Sequence, residues 1–466
     1  MKRLLVFVSI LCISFLSLAQ TKESIEVMCK NAISASSNNN FSVAKGYFDQ
    51  VLSIISKHPN SDLMLGIPDE LAEYIIINQA KVNIEEAQQC ATLLIELQMQ
   101  CLSYCATHGY FQTKEDYVNN ISSVAMGMGF TLADAGLLKD AEDCINAGIS
   151  VYQQTGVKTK EYPSAYEQLG YFYSEYYQDY ISELKCKYEG FKASATLYGL
   201  NAKITKQIFG RLCMSYAFNF AFLAYVGESG ERFQLNDVRH VPYEQLIDLA
   251  YLWNQYRTEI ISLNGLEQFQ GLLNVNPINL NGDPRIRFGT HEWDLFYKSL
   301  AAIHYNRIDD YNVYSHELLK IIQNEDDLIA YSRDIVSSLR NHNQVNRAFD
   351  LYDHVAVKVV GRKDLVEYIQ DMAGELAFAY GFYDKAWTYV EDLKSSLDSV
   401  EYHNKEALLR RMSLLGSLYR TKGNYQKNLE VSLKAVEMAN ADSLSVSVGL
   451  RKMLYNICQL ITQAFT

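Results

Sequence analysis

Residues 412–435 read MSLLGSLYRTKGNYQKNLEVSLKA, and their spacing decides the fold. Leu415-Gly416 is followed by Tyr419, then Gly423, Tyr425 and Ala435. Small and large apolar residues recur at helical intervals on either side of Gly423, which reads as the break between two helices. The same offsets return in residues 373–393, AGELAFAYGFYDKAWTYVEDL, as Gly374, Ala377, Gly381, Tyr383, Ala386, Val390 and Leu393. They return in residues 128–148, MGFTLADAGLLKDAEDCINAG, as Gly129, Leu132, Gly136, Leu138, Ala141, Ile145 and Gly148. Looser copies run through 32–51 (Ala32, Asn39, Phe41, Ala44, Phe48, Val51), 299–318 (Ser299, Ala302, Asn306, Ile308, Tyr311, Ser315, Leu318) and 336–355 (Val336, Leu339, Asn343, Val345, Ala348, Tyr352, Val355).

The offsets describe two antiparallel helices sharing a short turn. Gly129, Gly374 and Gly416 in the first helix let the second approach closely, and Ala44, Ala141, Ala348 and Ala386 do the same from the other side. Large residues at the intermediate offsets fill the space between the pair. Gly136, Asn343, Gly381 and Gly423 stand where a left-handed residue ends the first helix. The last position, held by Gly148, Val355 and Ala435, is expected to face the next hairpin.

These residues resemble the tetratricopeptide repeat over more than half of the chain. Departures are plain: Asn428 and Ser432 replace the expected small and aromatic residues, and the early tryptophan is missing from every copy. Ala348 to Ala386, and Ala386 to Asn428, are wider apart than the about 34 residues of the ideal repeat. The resemblance implies an all-α solenoid of antiparallel helix pairs, a right-handed superhelix whose first helices line a concave peptide-binding groove. Roughly six to eight pairs are expected. The expected organisation is a signal peptide over 1–19, a helical array over 20–226, an irregular insertion over 227–292, and a second array over 293–466. The insertion contains polar GESGERFQLNDVRHVP, one helix from about Tyr243 to Ile261, and the Asn281-Gly282 step of a hairpin or ordered loop.

Composition narrows the classes. The chain has 466 residues, 48% of them apolar and 21% charged, which excludes a disordered chain and a multi-pass membrane protein. Lys+Arg 42 against Asp+Glu 54 gives a net charge of −12, the wrong sign for a nucleic-acid-binding surface. Six prolines suit long helices. The first residues, MKRLLVFVSILCISFLSLAQ, carry a basic start, an apolar run and small residues before Gln20. This reads as a secretory signal peptide cleaved after Ala19, too short to span a bilayer, and the expected destination is a bacterial periplasm. No later stretch is apolar enough to span a membrane.

Nine cysteines occur, eight of them beyond the signal peptide: Cys29, Cys90, Cys101, Cys105, Cys144, Cys186, Cys213 and Cys458. Their scatter through apolar helical patterns favours buried small hydrophobes, although an oxidising compartment permits disulfides. Cys101, Cys105 and His108 share one helix face and leave open a local disulfide or a weak metal site.

No catalytic motif is present: no HExxH, GxxxxGK[ST], GxSxG or kinase-type set. Gly127-Met128-Gly129 sits inside a helical repeat rather than after a strand. His291-Glu292, His304 and Asp309-Asp310 read as turns or helix ends. Glu325-Asp326-Asp327 after Asn324 reads as a first helical turn, where negative charge suits the dipole. No cofactor, metal site or enzymatic activity is expected.

The groove is therefore the candidate site. First-helix offsets that point away from the packing face carry Arg333 and Arg340, then Asp371 and Glu375, then Arg410 and Arg420. They suit surface ion pairs between neighbouring helices, or a polar groove in which arginines offer forked donors to a peptide. Ser413 and Ser417 stand where some family members place a carboxylate clamp. Residues 160–226 add a stripe of Tyr162, Tyr166, Tyr171, Tyr173, Tyr176, Tyr177 and Tyr180, read either as core or as groove lining, with Tyr173 and Tyr177 the groove candidates. Tyr166, Leu169, Gly170 and Tyr173 fit a first helix, and Phe191 its partner.

The functional expectation is a non-catalytic exported scaffold that binds a protein or peptide. The alternative is a periplasmic sensor ectodomain, since signal peptide plus such an array is similar to the sensor region of bacterial membrane-tethered regulators; the chain then reads as a truncated or split member. Outer-membrane glycan-binding lipoproteins also carry such helices, but Leu11-Cys12 is a poor lipoprotein box and only three tryptophans occur.

Overall fold

The structure, a computed structural model, describes residues 21–220, 241–273, 291–395 and 402–441. The expected signal peptide, residues 227–240 and 274–290 of the expected insertion, and Cys458 lie outside the described residues. Among the described residues every regular element is helical.

The chain divides into two compact units, Met1–Ala217 with Tyr251–Ile278, and Phe218–Ala250 with Asn279–Thr466. The first unit contains α1 (21–37), α2 (Phe41–Ile55), α3 (Asp69–Val82), α4 (Ile84–Thr107), α5 (Lys114–Asp134), α6 (Leu138–Thr155), α7 (Glu161–Phe172), α8 (Tyr180–Tyr198) and α9 (Lys203–Phe218). Helix α10 (Tyr243–Leu273) gives its first turns to the second unit and the rest to the first, and it is longer than the helix expected there. The second unit continues with α11 (His291–His304), α12 (Ile308–Ile321), α13 (Glu325–Asn341), α14 (Val345–Lys358), α15 (Lys363–Ala379), α16 (Tyr383–Thr388), α17 (Glu391–Ser395), α18 (Lys405–Thr421) and α19 (Tyr425–Ala441).

Within each unit helices pack in chain order, and first helices also pack on first helices. Helix α3 touches α4 and α5, α11 touches α12 and α13, and α15 touches α16 and α18. That pattern belongs to a solenoid of hairpins, because each pair buries only one face and needs its neighbour for the other. Each unit is an all-α, tetratricopeptide-like stack of this kind.

The turns explain why the hairpins form. Asn39, Asn306 and Asn343 have φ of 54°, 55° and 58°, and Gly136, Gly381 and Gly423 have 81°, 76° and 73°. In each case the amide of the next residue donates to the carbonyl five positions back, as Leu137 to Leu132, Gln344 to Leu339 and Asn424 to Tyr419, at 2.8–2.9 Å. This is the Schellman closure, and the left-handed residue it requires is the one the sequence supplies. Side-chain caps start many of the helices. Asn324 accepts from the amides of Asp326 and Asp327 at 2.9 and 3.0 Å, and Thr113 forms a capping box with Asp116.

The small residues stand at the close approaches. A Cβ on Gly129 lies 2.5 Å from Ile145 Cγ1 and 3.0 Å from the Ala141 carbonyl, both on α6. A Cβ on Gly416 lies 2.8 Å from Asn428 Oδ1 on α19, so polar Asn428 and Ser432 occupy the expected packing positions and bond each other at 3.3 Å. Gly170 and Gly190 do the same for α7 and α8 from opposite sides.

Two expectations change. Gly148 does not face the next hairpin; it packs on Ser122 and Met126 of α5, its own partner. Gly374 is closed chiefly by Leu414 of the following hairpin, with Tyr389 Cβ at 3.3 Å. The second helix of that pair is broken into α16 and α17. Arg411, only 2% exposed, donates through Nε and Nη2 to the Tyr389 carbonyl at the break and also reaches Asp392.

The described cysteines are all free. Cys101 and Cys105 are buried, and burial pushes the Cys101 thiol up to about 12, so both pack as small hydrophobes. His108 stacks on Tyr104 at 3.8 Å and bonds its carbonyl. No group of His, Cys, Asp and Glu among the described residues is placed to hold a metal. No described helix is long and apolar enough to cross a membrane.

Candidate functional site

In the first unit, three successive first helices open a cavity of about 500 Å³. Phe130 of α5, Ser164, Glu167, Gln168 and Tyr171 of α7, and Arg211 of α9 line it. The α7 residues share one face by their spacing, so a single helix supplies most of the floor. Phe130 and Tyr171 tilt against each other at 6.0 Å, and Tyr171 is 53% exposed. Arg211 Nε reaches Glu167 Oε1 at 2.9 Å. Burial pushes the Glu167 carboxyl up, and Arg211 and Lys187 oppose the shift. Ser164 donates to the Lys160 carbonyl.

Tyr173 and Tyr177 lie elsewhere. A single π-helical turn, Tyr173–Tyr177, follows α7 and ends at Gln178, whose φ is 53°. Tyr171 lies at ordinary helical spacing from Ser164, Glu167 and Gln168, so it and not Tyr173 completes the cavity face. The Tyr173 hydroxyl donates to Glu142 at 2.6 Å, and Tyr176 donates to Asp134. Tyr177 is exposed and meets Phe172 edge-on. Tyr152 donates to Asn119 at 3.0 Å, and Tyr166 accepts from Gln153 at 2.9 Å. The stripe is thus mostly packing, with each of these hydroxyls satisfied within the unit.

In the second unit the corresponding face is differently arranged. Arg333 contacts its own neighbour Asp334 at 3.4 Å. Arg340 and Arg420 are exposed and have no ion pair with any described residue, and Glu375 has none either. Asp371 is 1% exposed; its Oδ2 lies 4.0 Å from Arg410, and its Oδ1 has no hydrogen-bond partner. Burial pushes the Asp371 carboxyl up to about 8; Glu375 and Glu406 add to the shift and Arg410 and Arg411 oppose it. The alternating charges therefore do not close into ion pairs across the helices: among the six candidates only Asp371 and Arg410 meet, at the limit of contact.

Tyr352, on second helix α14, is buried. Burial pushes its hydroxyl pKa upward, and Tyr368, Arg340, Arg333 and Asp371 all act on it electrostatically. It is buried and makes no hydrogen bond to a described residue. Phe130, Glu167, Gln168, Arg211, Tyr352 and Tyr368 were not among the sequence candidates. The signal that finds Phe130 and Tyr368 is register, since Phe130 lies six residues before the left-handed Gly136 and Tyr368 thirteen before Gly381.

No protein-family model matches the chain, and no curated protein does. Several solved helical structures align with it. A circular tandem repeat protein with novel repeat topology is 11% identical, covers 96% of each chain and superposes with a TM-score of 0.33. Yeast Tom70 is 9% identical over 95% of this chain and 96% of its own, with a TM-score of 0.26. The apo form of the quorum sensor NprR from B. thuringiensis is 10% identical over 96% and 99%, with a TM-score of 0.21. At such values the likeness goes no further than helices in succession, and the functional reading rests on this chain's own residues.

Proposed function

We propose that this chain is an exported, non-catalytic scaffold that takes a protein or peptide partner on its first-helix faces. The cavity across α5, α7 and α9 carries the reading. Its volume of about 500 Å³ suits a short peptide segment. Exposed Tyr171 beside Phe130 offers an aromatic anchor site at low entropic cost. The Glu167–Arg211 pair leaves Glu167 Oε2 and the Arg211 terminal nitrogens to face a peptide backbone, which presents both donors and acceptors. The Ser164 hydroxyl at the cavity already donates to a backbone carbonyl, which favours holding over chemistry.

The test is crosslinking and pull-down from envelope fractions with the full chain and with a Tyr171→Ala, Arg211→Glu variant. The expected outcome is a partner lost in the variant while the melting temperature is unchanged. A partner retained in full by the variant rules this cavity out. Export is part of the proposal: the mature chain should fractionate with the periplasm and begin at Gln20 on N-terminal sequencing.

A further inference from the structure

The second helices of the second unit carry a cleft of their own. Arg347, Asp350, Leu351 and His354 are spaced to fall on one face of α14. Arg347 and Asp350 line a cavity of about 590 Å³ together with Asn343, Gln344 and Asn346. Tyr380 and Phe382, from the turn of the next hairpin, line the same cavity. Arg347 and Asp350 also line a smaller recess of about 150 Å³, which Asn312 and His316 of α12 share with His354. The two openings therefore adjoin, with Arg347 and Asp350 as their common wall. None of these residues lines the cavity across α5, α7 and α9.

The lining is polar but carries one charge of each sign, at Arg347 and Asp350. Arg347 Nη1 donates to Asn312 at 3.2 Å, and neither charged group has an ion pair with a described residue. The side chains of Asn343 and Asn346 are exposed and make no hydrogen bond to a described residue. Gln344 donates to Asn306 at 3.4 Å, while its Oε1 has no partner. Each of these amides offers both donors and an acceptor. Tyr380 and Phe382 are 41% and 43% exposed, yet both are held. The Tyr380 hydroxyl donates to the Arg340 carbonyl at 3.5 Å, and Phe382 meets Phe349 at 89° and 5.8 Å.

We propose that this cleft binds a short neutral oligosaccharide, its ring faces laid on Tyr380 and Phe382 and its hydroxyls taken by Asn343, Asn346, Arg347 and Asp350. A sugar hydroxyl both donates and accepts, which suits open amides and an unpaired guanidinium and carboxylate. The apolar C–H face of a pyranose ring covers an exposed aromatic ring without a hydrophobic pocket beneath it, and rings already held in place lose little freedom on binding. An acidic polymer meets Asp350 and a cationic one meets Arg347, each with a repulsion that nothing here offsets. A free amino acid matches the two charges but leaves most of the larger cavity unfilled. An extended peptide sends alternate side chains to opposite sides and draws its specificity from pockets, whereas these rings stand at the surface.

A glycan array carrying neutral, acidic and cationic oligosaccharides, probed with the fluorescently labelled full chain, tests this. Wild type should bind neutral members in preference to the charged ones. The strongest neutral hit, titrated by calorimetry, should lose about tenfold in affinity with Tyr380→Ala and roughly threefold with Asn346→Ala, with the melting temperature little changed. Binding to no neutral glycan overturns the proposal, as does equal binding to acidic ones. So does a Tyr380→Ala, Asn346→Ala double variant that binds the hit as wild type does. The inference is independent of the scaffold reading: a double variant that loses the glycan and keeps the envelope partner supports a second site, whatever becomes of the first.

Discussion

The two first-helix faces differ in one respect that shapes everything else about them. Around α7 the polar groups have settled their bonds internally: Tyr173 on Glu142, Tyr176 on Asp134, Tyr152 on Asn119 and Glu167 on Arg211. Around α15 they have not: Arg340, Glu375, the Tyr352 hydroxyl and Asp371 Oδ1 have no partner among the described residues. Arg340 and Glu375 are exposed to solvent, so of these groups Asp371 Oδ1 is the buried polar atom left unpaired, and burying it that way costs stability. The lesson is that similar hairpins carry different tasks according to whether side chains close on each other or stay open.

The packing beneath the faces gives the largest expected effect. Gly129→Ala places a methyl against Ile145 and a backbone carbonyl that cannot retreat, and should cost about 3 kcal/mol in urea unfolding. Gly374→Ala meets the flexible end of Leu414 first and should cost roughly 1 kcal/mol. Equal losses at the two sites would remove the distinction between rigid and yielding contacts.

Asp371 gives the next effect, and its sign can be worked out. Its folded pKa lies near 8, above the unfolded carboxylate value. Between about pH 4 and 8 the unfolded chain has lost a proton that the folded chain keeps, so this group lowers stability progressively as pH rises through that window. Asp371→Asn removes the titration. The variant should melt higher than wild type at pH 8 and close to it at pH 4, and thermal curves that stay parallel across the window would count against the buried acid.

Hydroxyl deletions then separate the two faces. Tyr173→Phe removes a bond to Glu142 and should cost about 1 kcal/mol. Tyr352→Phe removes no bond to a described residue and should leave stability within about 0.5 kcal/mol. If the order is reversed, the contrast between a closed and an open face is wrong. The smallest effect is a gain: Gly127→Ala, with nothing within 4 Å of the added Cβ, should stabilise α5 by up to about 1 kcal/mol.

Much of the fold was legible in the sequence. Gly129, Gly416 and the four turn residues Gly136, Asn343, Gly381 and Gly423 do locally what their spacing predicts, because a left-handed backbone and a missing side chain are properties of single residues. Gly148 was misread because the same smallness serves either neighbour, and helical periodicity does not say which. The site was harder. Tyr173 and Tyr177 stand on the π-helical turn after α7, whereas Tyr171, at helical spacing from Ser164, Glu167 and Gln168, is the tyrosine that lines the cavity. Arg411 was not among the sequence candidates, and the structure buries it on the carbonyl at the break between α16 and α17.

By itself, the sequence determined that the chain folds into hairpins of helices, where each hairpin turns, and which glycines sit at close approaches. Those features depend on backbone conformation and side-chain volume over a few dozen residues. Only the tertiary structure decided which charges and hydroxyls pair and which stay open. Pairing is set by the register between helices distant in sequence, where a shift of one residue turns a satisfied carboxylate into an exposed one.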